Sequence, residues 1–127
     1  MSSNGGPLLD LPTMNWAPGD GPGYFDHQTS QTATDVIRIG VIGYGYWGPN
    51  IVRNLYGLDG CQVVALCDKS HDALRRAHRT YPRVRLTTDI TEILRSPDID
   101  AVAVVTPVWT HFELAKAALE NGKHVFV

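Results

Sequence analysis

Arg38-Ile-Gly-Val-Ile-Gly-Tyr-Gly-Tyr-Trp-Gly-Pro-Asn50 decides the fold. Ile39 to Ile42 is a short apolar run, and a run of that length bounded by glycine reads as a buried strand. Gly43-x-Gly45-x-x-Gly48 follows without a gap. Pro49 then opens a helical pattern carried by Ile51, Val52 and Leu55. Strand, glycine loop and helix in that order form the context that a dinucleotide fingerprint requires. Gly43 permits a turn too tight for a side chain, Gly45 leaves room for a pyrophosphate against the backbone, and Gly48 lets the helix lie close to the strand. The helix start offers unpaired N–H groups and about half a positive charge to an anion. Proline suits that first turn, where its missing N–H costs nothing. By itself the motif is also compatible with a glycine-rich turn that binds nothing.

A second feature raises its weight. Gln62 to Cys67 is another unbroken apolar run, and it ends in Asp68, 25 residues beyond Gly43. A carboxylate about 20 residues past the glycines is the expected partner of an adenosine ribose. Its charge would accept both ribose hydroxyls and repel a 2′-phosphate, which favours NAD over NADP. Lys69 beside it works the other way, and Asp68 could also be a simple turn residue.

The rest of the chain repeats the alternation of strand and helix. Ser70 caps a helix whose inward face is predicted to be Leu74, Ala77, His78 and Tyr81, before Pro82 stops it. Arg75, Arg76, Arg79, Arg83 and Arg85 read as a solvated basic face. Val84 to Thr87 is a third strand. Asp89-x-x-Glu92 is a capping box for a helix from Ile90 to Arg95. Asp100 to Val105 is a fourth strand running into the polar corner Thr106-Pro107. Thr110-x-x-Glu113 is a second capping box, for a helix from His111 to Asn121 packed through Phe112, Ala115, Ala118 and Leu119, with Gly122 just past its end. His124 to Val127 begins a fifth strand. Apolar strands joined by helical crossovers predict an α/β fold, a Rossmann-type doubly wound parallel sheet of about five strands. Ligands of such sheets sit at the carboxyl ends of the strands, at the switch point beside the first strand.

Residues 1–35 differ in kind, with five Gly, four Pro, four Asp and neither Lys nor Arg. Leu8, Leu9, Leu11, Trp16, Tyr24 and Phe25 follow no helix or strand period. So little apolar surface cannot offset chain entropy, and the segment reads as a disordered leader before a folded part over residues 36–127. A docking role for Trp16, Tyr24 and Phe25 on a partner subunit is the alternative. No basic and apolar signal regions precede it, and the absence of Arg argues against a mitochondrial presequence. The net charge of −2 carries no nucleic-acid signature. No apolar run approaches the roughly 18–20 residues that span a bilayer. Cys61 and Cys67 fit no metal or redox spacing and sit too far apart along one strand to bridge, so free thiols in a cytoplasmic protein are expected.

Taken together, Ile39 to Gly48, the strand ending in Asp68, and Val105-Thr-Pro-Val-Trp-Thr-His111 leading to Ala117-Ala-Leu-Glu-Asn-Gly-Lys-His-Val-Phe-Val127 resemble the Gfo/Idh/MocA oxidoreductases (glucose–fructose oxidoreductase, inositol dehydrogenase and relatives). The resemblance runs from Arg38 to Val127. It implies an N-terminal Rossmann domain binding NAD(P) and a further domain binding a sugar or polyol, with hydride transfer between nicotinamide and a hydroxyl or ketone. It implies that Gly43, Gly45 and Gly48, with the N–H groups of Tyr46 and Trp47, meet the pyrophosphate. Asp68 would hold the ribose, Thr106 and Pro107 would flank the nicotinamide, and His111 would line the same wall or face the corner loop. Relatives of this kind form homo-oligomers, and the wording around Tyr44 to Asn50 is similar to branches acting on nucleotide-linked sugars.

One departure matters. The family's final strand runs into Glu-Lys-Pro, whose lysine transfers the proton; that tripeptide and the substrate domain do not follow Val127. General acid–base catalysis contributes on the order of 10²–10⁴-fold, and no residue in this sequence is placed to supply it. The chain stops inside an apolar strand, so the reading is of the front part of a longer oxidoreductase, with the 127 residues binding cofactor and lacking activity of their own. A non-catalytic dinucleotide-binding module, a sensor or scaffold subunit, is the alternative. A methyltransferase is disfavoured by Gly48 and Pro49.

Overall fold

Uninterrupted Val, Ile, Leu and Ala runs need cover on both faces, and this requirement shapes the sheet. The structure, a computed structural model, describes residues 35–127. The leader predicted over residues 1–35 lies, but for Asp35, outside them. Ile37–Val127 forms one compact unit. Its elements are β1 (Ile37–Ile42), α1 (Gly48–Tyr56), β2 (Cys61–Cys67), α2 (His71–Thr80), β3 (Arg85–Thr87), α3 (Ile90–Leu94), β4 (Ala101–Val104), a 3-10 turn (Val108–Thr110), α4 (His111–Glu120) and β5 (His124–Phe126). All strand pairs are parallel, and the sheet order is β3-β2-β1-β4-β5. The chain winds outward from β1 to β3, then crosses back to place β4 on the other side of β1. That reversal is the switch point of a Rossmann-type sheet.

Two cores flank the sheet. On one face Ile39, Val41 and Leu66 meet Val52 of α1 and Ala73, Leu74 and Ala77 of α2. On the other, Ile42, Val102 and Val104 meet Ile93 and Leu94 of α3 and Ala118 of α4. A Cβ on Gly40 would lie 2.8 Å from Ile93 Cγ2 and 2.9 Å from Ile99 Cδ1, so α3 rests on β1 where a side chain is missing. The opposite end of the sheet from the glycine loop is bolted by charge. Asp100 accepts from the N–H of Arg38 at 2.8 Å and from its guanidinium at 3.1 Å through each carboxylate oxygen. Lys123 Nζ donates to the carbonyls of Ser96 and Ile99.

Ser70 Oγ accepts from Ala73 N–H and caps α2. Asp89 accepts from Thr91 N–H and caps α3. The reciprocal half of that predicted box is replaced, because Asp89 N–H donates to Thr87 Oγ1. Gly122 follows α4 with φ +76°. Cys61 and Cys67 are free, the latter buried.

Three expectations fail. Thr110 makes no cap bond to α4, since its hydroxyl turns back to the Pro107 carbonyl. His78 is exposed, because Ala73 completes the stripe of Leu74, Ala77 and Tyr81 and leaves His78 beyond its edge. Phe112 and Leu119 are 74 % and 62 % exposed, because α4 turns Leu114, Ala117 and Ala118 inward against the sheet.

Candidate functional site

The carboxyl ends of β1, β2 and β4 are tied together by main-chain bonds that carry the ladder past the strands. Val105 N–H donates to Ile42 O at 2.8 Å, Gly43 N–H to Cys67 O at 2.8 Å, and Asp68 N–H to Thr87 O at 3.1 Å. Gly43 sits where these ends converge. Its φ is +108°, and a Cβ there would fall 2.5 Å from Val105 O and 3.0 Å from Thr106 Cγ2. Only glycine fits between the end of β1 and the end of β4. A Cβ on Gly48 would come within 2.7 Å of Gly43 O, so α1 begins in contact with the loop that precedes it.

Gly45 differs from both. Among the described residues, its chain neighbours aside, no atom lies within 4 Å of its Cβ position. The space in front of it is open, and the helix behind it, like α4, has no side-chain cap. α1 has no side-chain cap and no acidic residue in its first turn, whereas Ser70 and Asp89 cap α2 and α3. Among the described residues nothing accepts from the N–H groups of Gly45, Tyr46, Trp47, Gly48 or Asn50. Helix N-termini leave such donors to be met by side chains, water or ligands. Tyr46 and Trp47 project outward, 86 % and 62 % exposed, packed edge-to-face on each other at 5.0 Å. Tyr44, two residues earlier, is 5 % exposed and anchors the loop in the core with Val52.

Asp68 faces this loop. Its Oδ2 accepts from Tyr44 N–H at 2.7 Å and its Oδ1 from Ser70 N–H at 2.8 Å. An ionised carboxylate has about four acceptor positions, so two remain for a ligand. On the other side of Gly43, the Thr106-Pro107 corner is held by three bonds. Thr106 Oγ1 lies 2.5 Å from Thr110 Oγ1, Thr110 Oγ1 donates to Pro107 O at 2.6 Å, and His111 Nε2 lies 2.7 Å from Thr106 O. A carbonyl only accepts, so His111 carries its proton on Nε2.

The structure therefore brings Gly43, Gly45, Tyr46, Trp47, Gly48 and Asp68 together on one side of the switch point, with Thr106, Pro107 and His111 on the other. The sequence reading missed two contributors. Tyr44 N–H positions the acid, and Thr110 orients the corner. Neither carries a motif signal, although the Thr106-x-x-x-Thr110 spacing across a short turn permits a side-chain contact.

This arrangement suits a dinucleotide: an open, uncapped cluster of amides for a pyrophosphate, a fixed carboxylate to one side and a polar corner to the other. Fold and switch point define a Rossmann-type domain. The family model described as "Oxidoreductase family, NAD-binding Rossmann fold" matches residues 37–127, and the chain belongs to the Gfo/Idh/MocA oxidoreductase family. It is 38 % identical over 94 residues to the uncharacterized oxidoreductase YdgJ of Escherichia coli K12, covering 74 % of this chain and 27 % of that protein. It is 36 % identical over 100 residues to a glycosyl hydrolase family 109 protein of Streptomyces filamentosus, covering 72 % and 20 %. Scyllo-inositol dehydrogenase from Lactobacillus casei, solved with NAD(H) and scyllo-inositol, superposes with a TM-score of 0.67 at 28 % identity, over 72 % of this chain and 27 % of that one. The chain thus spans about a quarter of the length of these relatives. Among the described residues no helix is long and apolar enough to cross a membrane.

Proposed function

We propose that residues 37–127 bind NAD, and that a protein containing them oxidises or reduces a sugar or polyol at a hydroxyl or ketone. The observation that carries this is the open Gly45 amide cluster set beside a carboxylate already pinned to the same loop by Tyr44 N–H. The N–H groups of Tyr46, Trp47 and Gly48 hold the pyrophosphate, aided by the positive end of α1. Asp68 accepts from the adenosine ribose hydroxyls, and its charge disfavours a 2′-phosphate. Thr106 and Pro107 flank the nicotinamide, and His111 holds the Thr106 main chain in place. Bound nicotinamide supplies a two-electron hydride acceptor or donor. The sugar or polyol follows from the family and from the inositol bound to the Lactobacillus casei relative.

Titration of the chain with NADH, NADPH and S-adenosylmethionine, followed by tryptophan fluorescence, tests the reading. NADH is expected to bind, NADPH more weakly, and S-adenosylmethionine not at all. No NADH binding up to about 1 mM, the upper end of ordinary enzyme–substrate affinities, would refute it.

A second reading has an observation of its own, because several relatives are named glycosyl hydrolase family 109 proteins. In that case the substrate is a glycoside, and nicotinamide-dependent glycosidases depart from the two-carboxylate scheme. Release of an aryl aglycone with no net NADH formation, by a protein containing this domain, would favour it.

A further inference from the structure

The Thr106-Pro107 corner has a hydrogen-bond polarity that can be worked out proton by proton. Pro107 O is a carbonyl and only accepts, so the 2.6 Å bond from Thr110 Oγ1 uses the single hydroxyl proton of Thr110. The 2.5 Å contact between Thr106 Oγ1 and Thr110 Oγ1 still needs a proton, and only Thr106 has one left to give. Thr106 O, in turn, is engaged by the Nε2–H of His111 at 2.7 Å. The Thr106 methyl faces Gly43, where an added Cβ would come within 3.0 Å of Cγ2, and its hydroxyl faces Thr110. The side-chain protons of Thr106, Thr110 and His111 are therefore all spent within the corner. What the half-buried Thr106 hydroxyl has left is lone pairs.

We propose that Thr110 is a positioning residue that fixes Thr106 Oγ1 as a hydrogen-bond acceptor, and that this acceptor selects a ligand group bearing an N–H donor, the carboxamide of nicotinamide. The proposal rests on the dinucleotide reading above and adds a polarity to it. Thr110 acts through Thr106 and does not touch the ligand. Its hydroxyl, drawn to the Pro107 carbonyl, can only accept from Thr106 and so removes the rotational freedom that an isolated threonine hydroxyl would have.

Reduced 3-acetylpyridine adenine dinucleotide provides the probe, because it keeps the carbonyl of the carboxamide and replaces the NH₂ by a methyl. The native chain is expected to bind NADH about three- to tenfold more tightly than this analogue, the worth of one neutral hydrogen bond. Thr110→Val keeps the shape of the side chain and removes the acceptor. Thr106 can then turn its proton outward, and the ratio should fall to about one. Thr110→Ser retains the hydroxyl and should restore the native ratio. Thr106→Val keeps the methyl contact with Gly43 and should also bring the ratio to about one, which covers the case in which Thr110→Val fails to fold. Thermal melts without ligand identify such a failure. Thr110→Val or Thr106→Val retaining the native ratio would overturn the proposal. So would a native ratio of one with NADH still bound, and that result would leave the dinucleotide reading standing. Absence of NADH binding to the native chain would remove the reading and the proposal together.

Discussion

Gly45→Ala separates the site from the fold more sharply than any other single change. Among the described residues, its chain neighbours aside, nothing lies within 4 Å of the Cβ that alanine adds, and Gly45 lies outside the left-handed region where a side chain is strained. The native state therefore loses nothing, while the unfolded chain loses freedom, which stabilises by about 0.4–1 kcal/mol. For a domain of this size that is a rise of about 2–8 °C in Tm. The same methyl occupies the gap through which the pyrophosphate would reach the loop amides. Losing one charge-assisted bond of about 1.5–3 kcal/mol weakens NADH about 10–100-fold. The assay is a thermal melt beside a fluorescence titration, with Gly43→Ala and Gly60→Ala as comparators. Gly60 has φ +88° and open space, so its replacement reports dihedral strain alone, about 1–2 kcal/mol. Gly43 adds a collision with a backbone carbonyl at 2.5 Å, for a total of about 3 kcal/mol and a fall of about 12–24 °C. Gly45→Ala binding NADH as tightly as the native chain would refute the pyrophosphate placement. A loss of stability matching that of Gly43→Ala would refute the structural reasoning.

The other predictions concern side chains around and beneath the loop. Asp68→Ala removes the proposed ribose acceptor and is expected to weaken NADH about 10–100-fold while narrowing the expected preference over NADPH; an unchanged NADH/NADPH ratio in paired titrations would take Asp68 out of the ribose site. Tyr46→Ala and Trp47→Ala leave the main-chain amides in place and should shift NADH affinity less than about threefold, given how exposed both rings are; a loss as large as that of Gly45→Ala would mean that the side chains do the holding. Burial opposes the charge of Asp100, but the Arg38 hydrogen bonds prevail and hold its carboxyl below the usual range. A depressed folded pKa contributes stability above about pH 4, and that contribution is lost as pH falls through the folded value. Arg38→Met should therefore flatten the acid side of the urea-midpoint profile, and an unchanged slope would exclude the pair as its source. Burial pushes the Cys67 thiol up to about 11, with the neighbouring Asp68 charge adding to it. A disulfide reagent near pH 8 should leave Cys67 unmodified until urea unfolds the chain, and prompt labelling of Cys67 in the native state would contradict this.

The alternation of strands and helices, the two-faced cores and the capped starts of α2 and α3 were legible because each rests on local chemistry. An unbroken apolar run has to be buried on both sides, and Ser70 or Asp89 before a helix has one obvious use. Inward faces were harder to read. Phe112 and Leu119 looked like core residues by size, yet α4 is rotated so that the smaller Ala117 and Ala118 approach the sheet. No periodicity within ten residues separates these two stripes, because both are apolar and the choice is made by the strands opposite. Tyr44 and Tyr46 pose the same difficulty in two residues of one loop. One is buried and the other exposed, and only the turn at Gly43 decides which. The ties at the far end of the sheet, Arg38 to Asp100 and Lys123 to Ser96 and Ile99, join residues distant in sequence and leave no local trace.

The candidate site was legible for a different reason, which also explains what was missed. It is built mainly from main-chain groups, and an amide has no residue type. What the sequence can record is where a side chain must be absent, and the three glycines record that for three separate causes. Gly43 is fixed by the end of β4, Gly48 by the loop carbonyl it follows, and Gly45 by nothing among the described residues. No described neighbour demands a bare position there, and the pyrophosphate proposed at the loop amides would account for it. The uncapped start of α1 points to the same place, since the donors left open there lie around the same empty volume. Tyr44 N–H and the Thr110 hydroxyl escaped the sequence reading because they act on other residues of the site, and such roles emerge only once the strand ends have been brought together.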